Sequence, residues 1–177
     1  RGSNGVTEYG GTSGSANTSV GYYAGNYNLG HHNTKIGNTS GRYATGSYNT
    51  FVGSAAGLGG QTSAPFSSGP NNTAVGYQAL TAFTTAEDNT ALGMFAGQLL
   101  TSGDSNTLLG NAAGRYMTTT SKTVLIGVTA GDAINSTDAD GTVAIGYQAG
   151  TAITSGQRST LVGYQAGDSI TTGDRNT

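Results

Sequence analysis

The chain repeats one short phrase along nearly its whole length, and this repetition limits the possible folds more than any other feature. "NTAVGYQAL" at 72–80 and "STLVGYQAG" at 159–167 are two of the copies. Each copy has a glycine directly after an aliphatic residue, which we call the anchor glycine: Gly21, Gly37, Gly53, Gly76, Gly93, Gly110, Gly127, Gly146 and Gly163. Successive anchors lie 16, 16, 23, 17, 17, 17, 19 and 17 residues apart. Such a period is typical of architectures in which each copy forms one structural unit.

Positions counted from the anchor form columns that keep their character from copy to copy. The residue before the anchor, here called the aliphatic column, is Val20, Ile36, Val52, Val75, Leu92, Leu109, Ile126, Ile145 or Val162. The residue four before it is Asn17, Asn33, Asn49, Asn72, Asn89 or Asn106, and then Thr123, Thr142 and Ser159. The residue three after the anchor is always small, and the residue seven after it is mostly apolar. Columns this constant indicate that equivalent residues occupy equivalent environments.

The repeats predict an all-β fold, a parallel β-solenoid of about nine coils of ~17 residues. Seventeen residues are too few for a pair of helices, and no stretch shows the 3.6-residue apolar spacing of a helix. Each repeat reads as two short strand-like pieces separated by glycine and asparagine, which turn a chain at low cost. With parallel coils about 4.8 Å apart, nine coils would be roughly 43 Å long.

The columns also predict the interior. The aliphatic column and the apolar column eight residues later are half a coil apart, so we expect them to face each other across a thin core. We expect the asparagine column to lie along one corner, where stacked amides can hydrogen-bond one another. Simple turn propensity is the alternative explanation for the asparagines.

Two apolar residues per coil make a lean interior, which predicts additional burial by association of several solenoids side by side. The residues two before the anchor vary widely and are expected to face outward, where the apolar members Phe51, Leu108, Leu125 and Leu161 would suit an interface. The tyrosines after the anchor, Tyr22, Tyr77, Tyr147 and Tyr164, would suit it too. Half-exposed strand residues are the alternative for these tyrosines.

The repeats divide the chain into an entry segment at 1–16 and a solenoid at 17–177. The longest spacing predicts a looped-out insertion at 58–70, whose Gln61, Phe66 and Pro70 are candidate contact residues, although a neutral insertion explains it equally well. A shorter insertion is expected at 135–141. Because Asn176 and Thr177 begin another copy, we expect the chain to belong to a longer array.

Few residues suggest metal binding or catalysis, so we predict no enzyme activity and no cofactor. Asp138 and Asp140 lie before a glycine, as in calcium loops, but the other acidic ligands of such loops are missing. His31 and His32 are adjacent and would point to opposite faces of a strand. These four residues are weak metal candidates.

Composition excludes several partners. The net charge is −2, with 31 glycines and no cysteine, so neither a nucleic-acid-binding field nor a thiolate metal site is expected. No apolar run is long enough for a membrane-spanning helix.

"TVAIGYQAG" at 142–150 resembles the repeats in the head domains of trimeric autotransporter adhesins, and "NTAVGYQAL" and "NTALGMFAG" at 89–97 resemble repeats of phage tail fibres. The resemblance implies a left-handed parallel β-roll in which three chains associate, with the aliphatic column in the interior. The coil here is longer than that of the adhesins.

We therefore expect a non-catalytic extracellular fibre segment, on a virion tail or a bacterial surface, whose partners are further copies of itself and a host-surface glycan or protein. Ice or crystal binding by the column Thr18, Thr34, Thr50, Thr73, Thr90 and Thr107 is one alternative, although this column shares the expected buried face of the aliphatic residues. A polysaccharide-cutting tailspike is another, but its paired carboxylates are not evident.

Overall fold

The structure, a computed structural model, describes residues 14–60, 67–135 and 137–177. Within them, nine three-residue strands form one parallel sheet in chain order. The strands are β1 (Thr18–Val20), β2 (Thr34–Ile36), β3 (Thr50–Val52), β4 (Thr73–Val75), β5 (Thr90–Leu92), β6 (Thr107–Leu109), β7 (Val124–Ile126), β8 (Val143–Ile145) and β9 (Thr160–Val162). A short 3₁₀ helix, Thr137–Ala139, precedes β8. The predicted parallel β-solenoid is confirmed.

Equivalent residues of neighbouring coils lie directly beside one another in the sheet. Thr73 pairs with Thr90, and Val75 pairs with Leu92. The same register holds across the 23-residue spacing, where Val52 pairs with Val75. The inserted residues therefore leave the stacking of the strands unchanged.

Each coil has one strand, and the second strand-like piece of the sequence prediction is wrong. The predicted second piece, "AITSG" at 152–156, follows turns and bends and contains no strand. Nearer the anchor, the residues two and four after it adopt left-handed conformations, such as Tyr23 at φ 54° and Gly25 at φ 60°, which an extended strand cannot contain. The turns still bond from coil to coil, as where the N–H of Gly97 donates to the carbonyl of Ala113 at 3.0 Å.

The sequence prediction placed the wrong strand column in the interior. The middle residue of every strand, two before the anchor, is buried, and we call this set the interior column: Ser19, Lys35, Phe51, Ala74, Ala91, Leu108, Leu125, Ala144 and Leu161. The aliphatic column points to the other side of the sheet, where Val20, Val52, Val75, Leu109, Ile126 and Ile145 are partly exposed and Ile36, Leu92 and Val162 are exposed. Side chains alternate along a strand, so an assignment shifted by one residue exchanges the two faces.

The opposite wall of the interior agrees with the sequence prediction. The apolar column seven after the anchor contributes Ala44, Phe83, Leu100, Met117, Ile134 and Ile153, all fully buried. The small column three after the anchor is also buried from Ala24 to Ala149. Residue size varies along both walls: Phe51 follows Ala44 and Ala91 follows Phe83, whereas Leu108 follows Leu100. One continuous apolar core results, in which the rings of Phe51 and Phe83 lie 5.4 Å apart.

The anchor is always glycine for two reasons. Its φ is far from the range of other residues, for example +133° at Gly76. In addition, a Cβ built on Gly76 would lie 2.6 Å from the carbonyl oxygen of Gly93 in the next coil. The coils can stack at strand spacing only because no side chain stands at this corner.

Candidate interaction surface

The outer side of the sheet is a regular surface that runs along all nine strands. It carries the threonine column, which is Thr18, Thr34, Thr50, Thr73, Thr90, Thr107, Val124, Val143 and Thr160, together with the aliphatic column. We call these two columns the outer sheet face. Leu92 is 49 % exposed and Val162 is 66 % exposed. A strip of aliphatic side chains beside a strip of mostly threonine thus faces away from the core.

The column directly after the anchor widens this surface. All nine of its members are exposed: Tyr22, Asn38, Ser54, Tyr77, Met94, Asn111, Val128, Tyr147 and Tyr164. Tyr147 and Tyr164 stack on each other with ring centroids 5.3 Å apart. The sequence prediction that the tyrosines stand on an accessible face is confirmed. Phe51, Leu108, Leu125 and Leu161, which were expected beside them, are buried and cannot take part.

Two arginines cover aromatic rings on the turn side of the coils. Arg42 lies over Tyr23 at 4.4 Å and over Tyr43 at 5.0 Å. Arg115 lies over Phe95 at 4.8 Å, and its Nε donates to Oε1 of Gln98 at 2.9 Å. These contacts tie neighbouring coils together and leave the ring faces occupied.

Two polar atoms on this side are buried without a hydrogen-bond partner among the described residues, Nε of Arg42 and Oδ1 of Asp132. Burial raises the pKa of Asp132, and the charge of Arg115 opposes that rise.

The asparagine ladder at the corner is confirmed. Oδ1 of Asn89 accepts the backbone N–H and the side-chain amide of Asn106, each at 2.9 Å. Nδ2 of Asn89 donates to Oδ1 of Asn72 at 3.1 Å and to the carbonyl of Gly103 at 3.0 Å. Each amide thereby satisfies backbone groups of its own and adjacent coils, which a residue chosen for turn propensity alone would not do.

A second ladder, which the sequence analysis missed, lies two residues before the asparagines. Here the side chain of one coil accepts the backbone N–H of the coil before it, the reverse of the asparagine direction. Glu87 N–H donates to Oδ1 of Asp104 at 2.9 Å, and Asp104 N–H donates to Oγ of Ser121 at 3.0 Å. The signal in the sequence was a column of short acceptor side chains, interrupted by few other residue types.

This second ladder explains two of the weak metal candidates. Oδ1 of Asp140 accepts the N–H of Ser121 at 2.7 Å, and Nδ1 of His31 accepts the N–H of Ser15 at 3.1 Å. His32 instead stacks on Tyr48 with ring centroids 5.2 Å apart. Asp138 lies in the 3₁₀ helix. In the part of the chain that the structure describes, no three His, Asp or Glu side chains are grouped to hold a metal ion.

The predicted contact loop is shorter than its predicted bounds. Gln61 and Phe66 lie outside the described residues. Pro70 belongs to the coil itself, since its carbonyl accepts the N–H of Asp88 at 3.3 Å and Nδ2 of Asn72 at 3.0 Å. Leu58 and Ser67 are also part of the coil, because each accepts a backbone N–H from the preceding one.

Lys35 is the residue whose placement differs most from the sequence prediction. It was expected to face outward, yet it is fully buried in the interior column. Burial lowers its pKa from 10.5 to about 7. The sequence held a signal for this position, because Asn28 interrupts the mostly apolar column seven after the anchor and comes seven residues before Lys35.

Comparison with known proteins finds no family model, no curated protein and no solved structure that matches this chain. Among the residues that the structure describes, no helix has the length and apolar character needed to cross a bilayer.

Proposed function

We propose that the chain is a non-catalytic segment of an extracellular fibre, in which solenoids associate side by side through the outer sheet face. One observation carries this proposal: all nine members of the aliphatic column are Val, Ile or Leu although the column faces away from the core. A solvent-exposed strand position has no reason to exclude polar residues nine times. A position that packs against a second copy does.

The size of the face determines which residues such an interface must include. Nine strands at about 4.8 Å make a strip roughly 43 Å long. Two columns alone span about 7 Å, but with the exposed column after the anchor the strip is roughly 13 Å wide. These dimensions make roughly 560 Å², which is below the ~800 Å² per partner that a standard-size interface buries. The tyrosines are therefore needed in the interface, and the threonines would form its polar margin.

A shaft of this kind would present insertions at its corners for attachment to a host-surface glycan or protein. Each contact could be weak, because parallel copies in a fibre raise the effective concentration of every further contact. The resemblance to adhesin heads and phage tail fibres supports the extracellular location, on a virion tail or a bacterial surface.

Solution mass tests the association directly. We expect the chain to sediment as an oligomer, and we expect Leu92→Asp to convert it to a monomer, because a buried unpaired carboxylate is costly. Leu99→Asp is the matched control, since Leu99 is similarly exposed, at 40 %, but lies on the turn side. A wild-type chain that stays monomeric at high micromolar concentration contradicts the proposal.

A second candidate function is binding to ice or another crystal lattice. The sequence expectation placed the threonine column on the buried face, but the structure places it outside, in register at strand spacing. Such an array needs a free, flat face, so the two candidates exclude each other. A monomer with measurable thermal hysteresis, lost in Thr90→Lys, would favour ice binding, and an oligomer without hysteresis would favour the fibre.

A further inference from the structure

Among the described residues, Lys35 is the one lysine whose amine lies inside the solenoid, and closely packed groups surround it. Lys35 is fully buried, and its stem runs between the backbones of two coils. A Cβ built on Gly41 would lie 2.6 Å from Cδ of Lys35, and one on Gly25 would lie 3.2 Å from it. Glycines on both sides thus leave a slot that the lysine stem fills.

The end of this side chain meets an amide. Nζ of Lys35 lies 3.1 Å from Oδ1 of Asn28 and 2.7 Å from the carbonyl oxygen of Ala44. Asn28 is itself buried, with 4 % exposure. Its Oδ1 also accepts a hydrogen bond from Nδ2 of Asn33 at 3.2 Å. A buried amine therefore stands beside a carboxamide whose oxygen already has a second donor.

We propose that Lys35 and Asn28 are a self-modification site, at which an isopeptide bond forms between Nζ of Lys35 and Cγ of Asn28. This inference is independent of the proposed fibre function, because it rests only on groups inside one chain.

The step is balanced without any further reactant. The lone pair of the neutral lysine amine attacks Cγ of Asn28, and the negative charge develops on Oδ1. A proton passes from the attacking nitrogen to Nδ2, the Cγ–Nδ2 bond breaks, and ammonia leaves. The product is a secondary amide, and nothing is oxidised or reduced.

Three features of the site favour this step. Burial lowers the pKa of Lys35 to about 7, so a large share of the amine is neutral near neutral pH. The donor from Asn33 is placed where the oxyanion would form, which is the stabilisation that acyl-transfer sites use. Positioning by the fold can supply effective molarities of about 10⁵–10⁸ M.

The distance is also suitable. Because a C=O bond is about 1.23 Å long, the 3.1 Å contact to Oδ1 places Nζ within about 4.4 Å of Cγ. A rotation of the Asn28 side chain can close the remaining gap to attack distance. Nζ of Lys35 and Oδ1 of Asn28 hydrogen-bond amide groups and a backbone carbonyl rather than a carboxyl group. Because no general acid in these contacts assists the proton transfer, we expect a slow reaction whose product accumulates as the folded chain ages.

The bond would have a structural consequence. It would link the turn side of the first described coil to β2 across the interior, and it would replace a titratable group in the core by a neutral amide. The first two coils would then resist unfolding from their end.

Intact mass under denaturing conditions tests the proposal. We expect folded chain aged at pH 9 to lose the mass of one ammonia molecule, and we expect trypsin to stop cleaving after Lys35. The same chain aged in denaturant should keep its trypsin cleavage after Lys35 and yield no peptide that joins Lys35 to Asn28, because proximity is lost. Lys35→Met and Asn28→Ala should keep full mass, which separates the bond from ammonia loss at other asparagines.

The proposal is overturned if aged, folded wild-type chain retains its full mass and its cleavage after Lys35. It is also overturned if either variant loses ammonia to the same extent as the wild type.

Discussion

Two adjacent leucines of β6 offer the sharpest test of which strand column forms the core. Leu108 is fully buried in the interior column, whereas Leu109 belongs to the outer sheet face. Leu108 packs against the backbones of Gly97 and Gly114. A Cβ built on either glycine would lie 3.2 Å or less from a methyl carbon of Leu108. The surrounding backbone is held by hydrogen bonds between coils, so it cannot move to fill the cavity that truncation would leave.

Truncation of the two leucines should therefore have very different effects. Leu→Ala at fully buried sites costs about 2–5 kcal/mol, from lost transfer free energy and the remaining cavity. We expect Leu108→Ala to fall in the upper part of that range, because the neighbouring coils are held in register by their backbone bonds. Leu109→Ala removes a side chain that is already partly in water, so we expect a loss of about 1 kcal/mol or less within a single chain.

Denaturant unfolding followed by far-UV circular dichroism measures the difference. An assembled outer face would bury Leu109, so unfolding should be measured at several chain concentrations, and only the concentration-independent part compared. Equal losses for the two variants, or a larger loss for Leu109→Ala in that part, would refute the assignment of the interior column.

Three further predictions concern the core lysine, the anchor and the asparagine ladder. While Lys35 is a free amine, the free energy of unfolding should rise as pH increases from 7 to 10.5. In this range the amine of Lys35 keeps its proton in the unfolded chain but not in the folded chain. The difference between its pKa of 10.5 in the unfolded chain and about 7 in the folded chain corresponds to about 5 kcal/mol. Titration of stability in Lys35→Met should lack this slope, and a slope that persists in the variant would contradict it. Gly76→Ala should lose about 1–3 kcal/mol from backbone strain alone. Gly141→Asn should lose less in thermal unfolding, because asparagine tolerates positive φ better than alanine does and a Cβ at Gly141 would meet nothing closer than 3.5 Å. Asn89→Ala leaves several buried polar groups unpaired at about 1–3 kcal/mol each, and Asn89→Thr should be milder, since Thr123 already bonds to the ladder in that position; equal melting temperatures for the two variants would argue against the ladder.

The sequence was sufficient to predict the period, the stacking and the asparagine ladder. These features depend on relations between equivalent residues of different coils, and nine copies make such relations visible. The small column and the apolar column of the turn side were predicted for the same reason. The residues of each column have equivalent neighbours in every coil.

The sequence could not show which of the two alternating columns of strand residues faces the core, because the more uniform column is not necessarily the buried one. The outward column is the more uniform one, while the interior column ranges from Ala91 to Phe51 and includes Lys35. The one charged residue of this column is accommodated because Asn28 and the carbonyl of Ala44 hydrogen-bond Lys35. Uniformity indicated a shared environment, but it did not indicate that the environment was the core.

The longer coils place their extra residues on the same edge of the solenoid. Coils of 16, 17, 19 and 23 residues all keep the same strand register. The 23-residue spacing adds its residues between Gly59 and Ser67, the residue that pairs with Ala44 on the inner wall, and the 19-residue spacing adds its residues directly after the buried Ile134. The two additions are four coils apart, or roughly 19 Å along the axis at strand spacing. The number of coils therefore sets the distance between inserted segments along the solenoid axis. A segment grafted into another coil at the equivalent position would lie on the same edge of the solenoid.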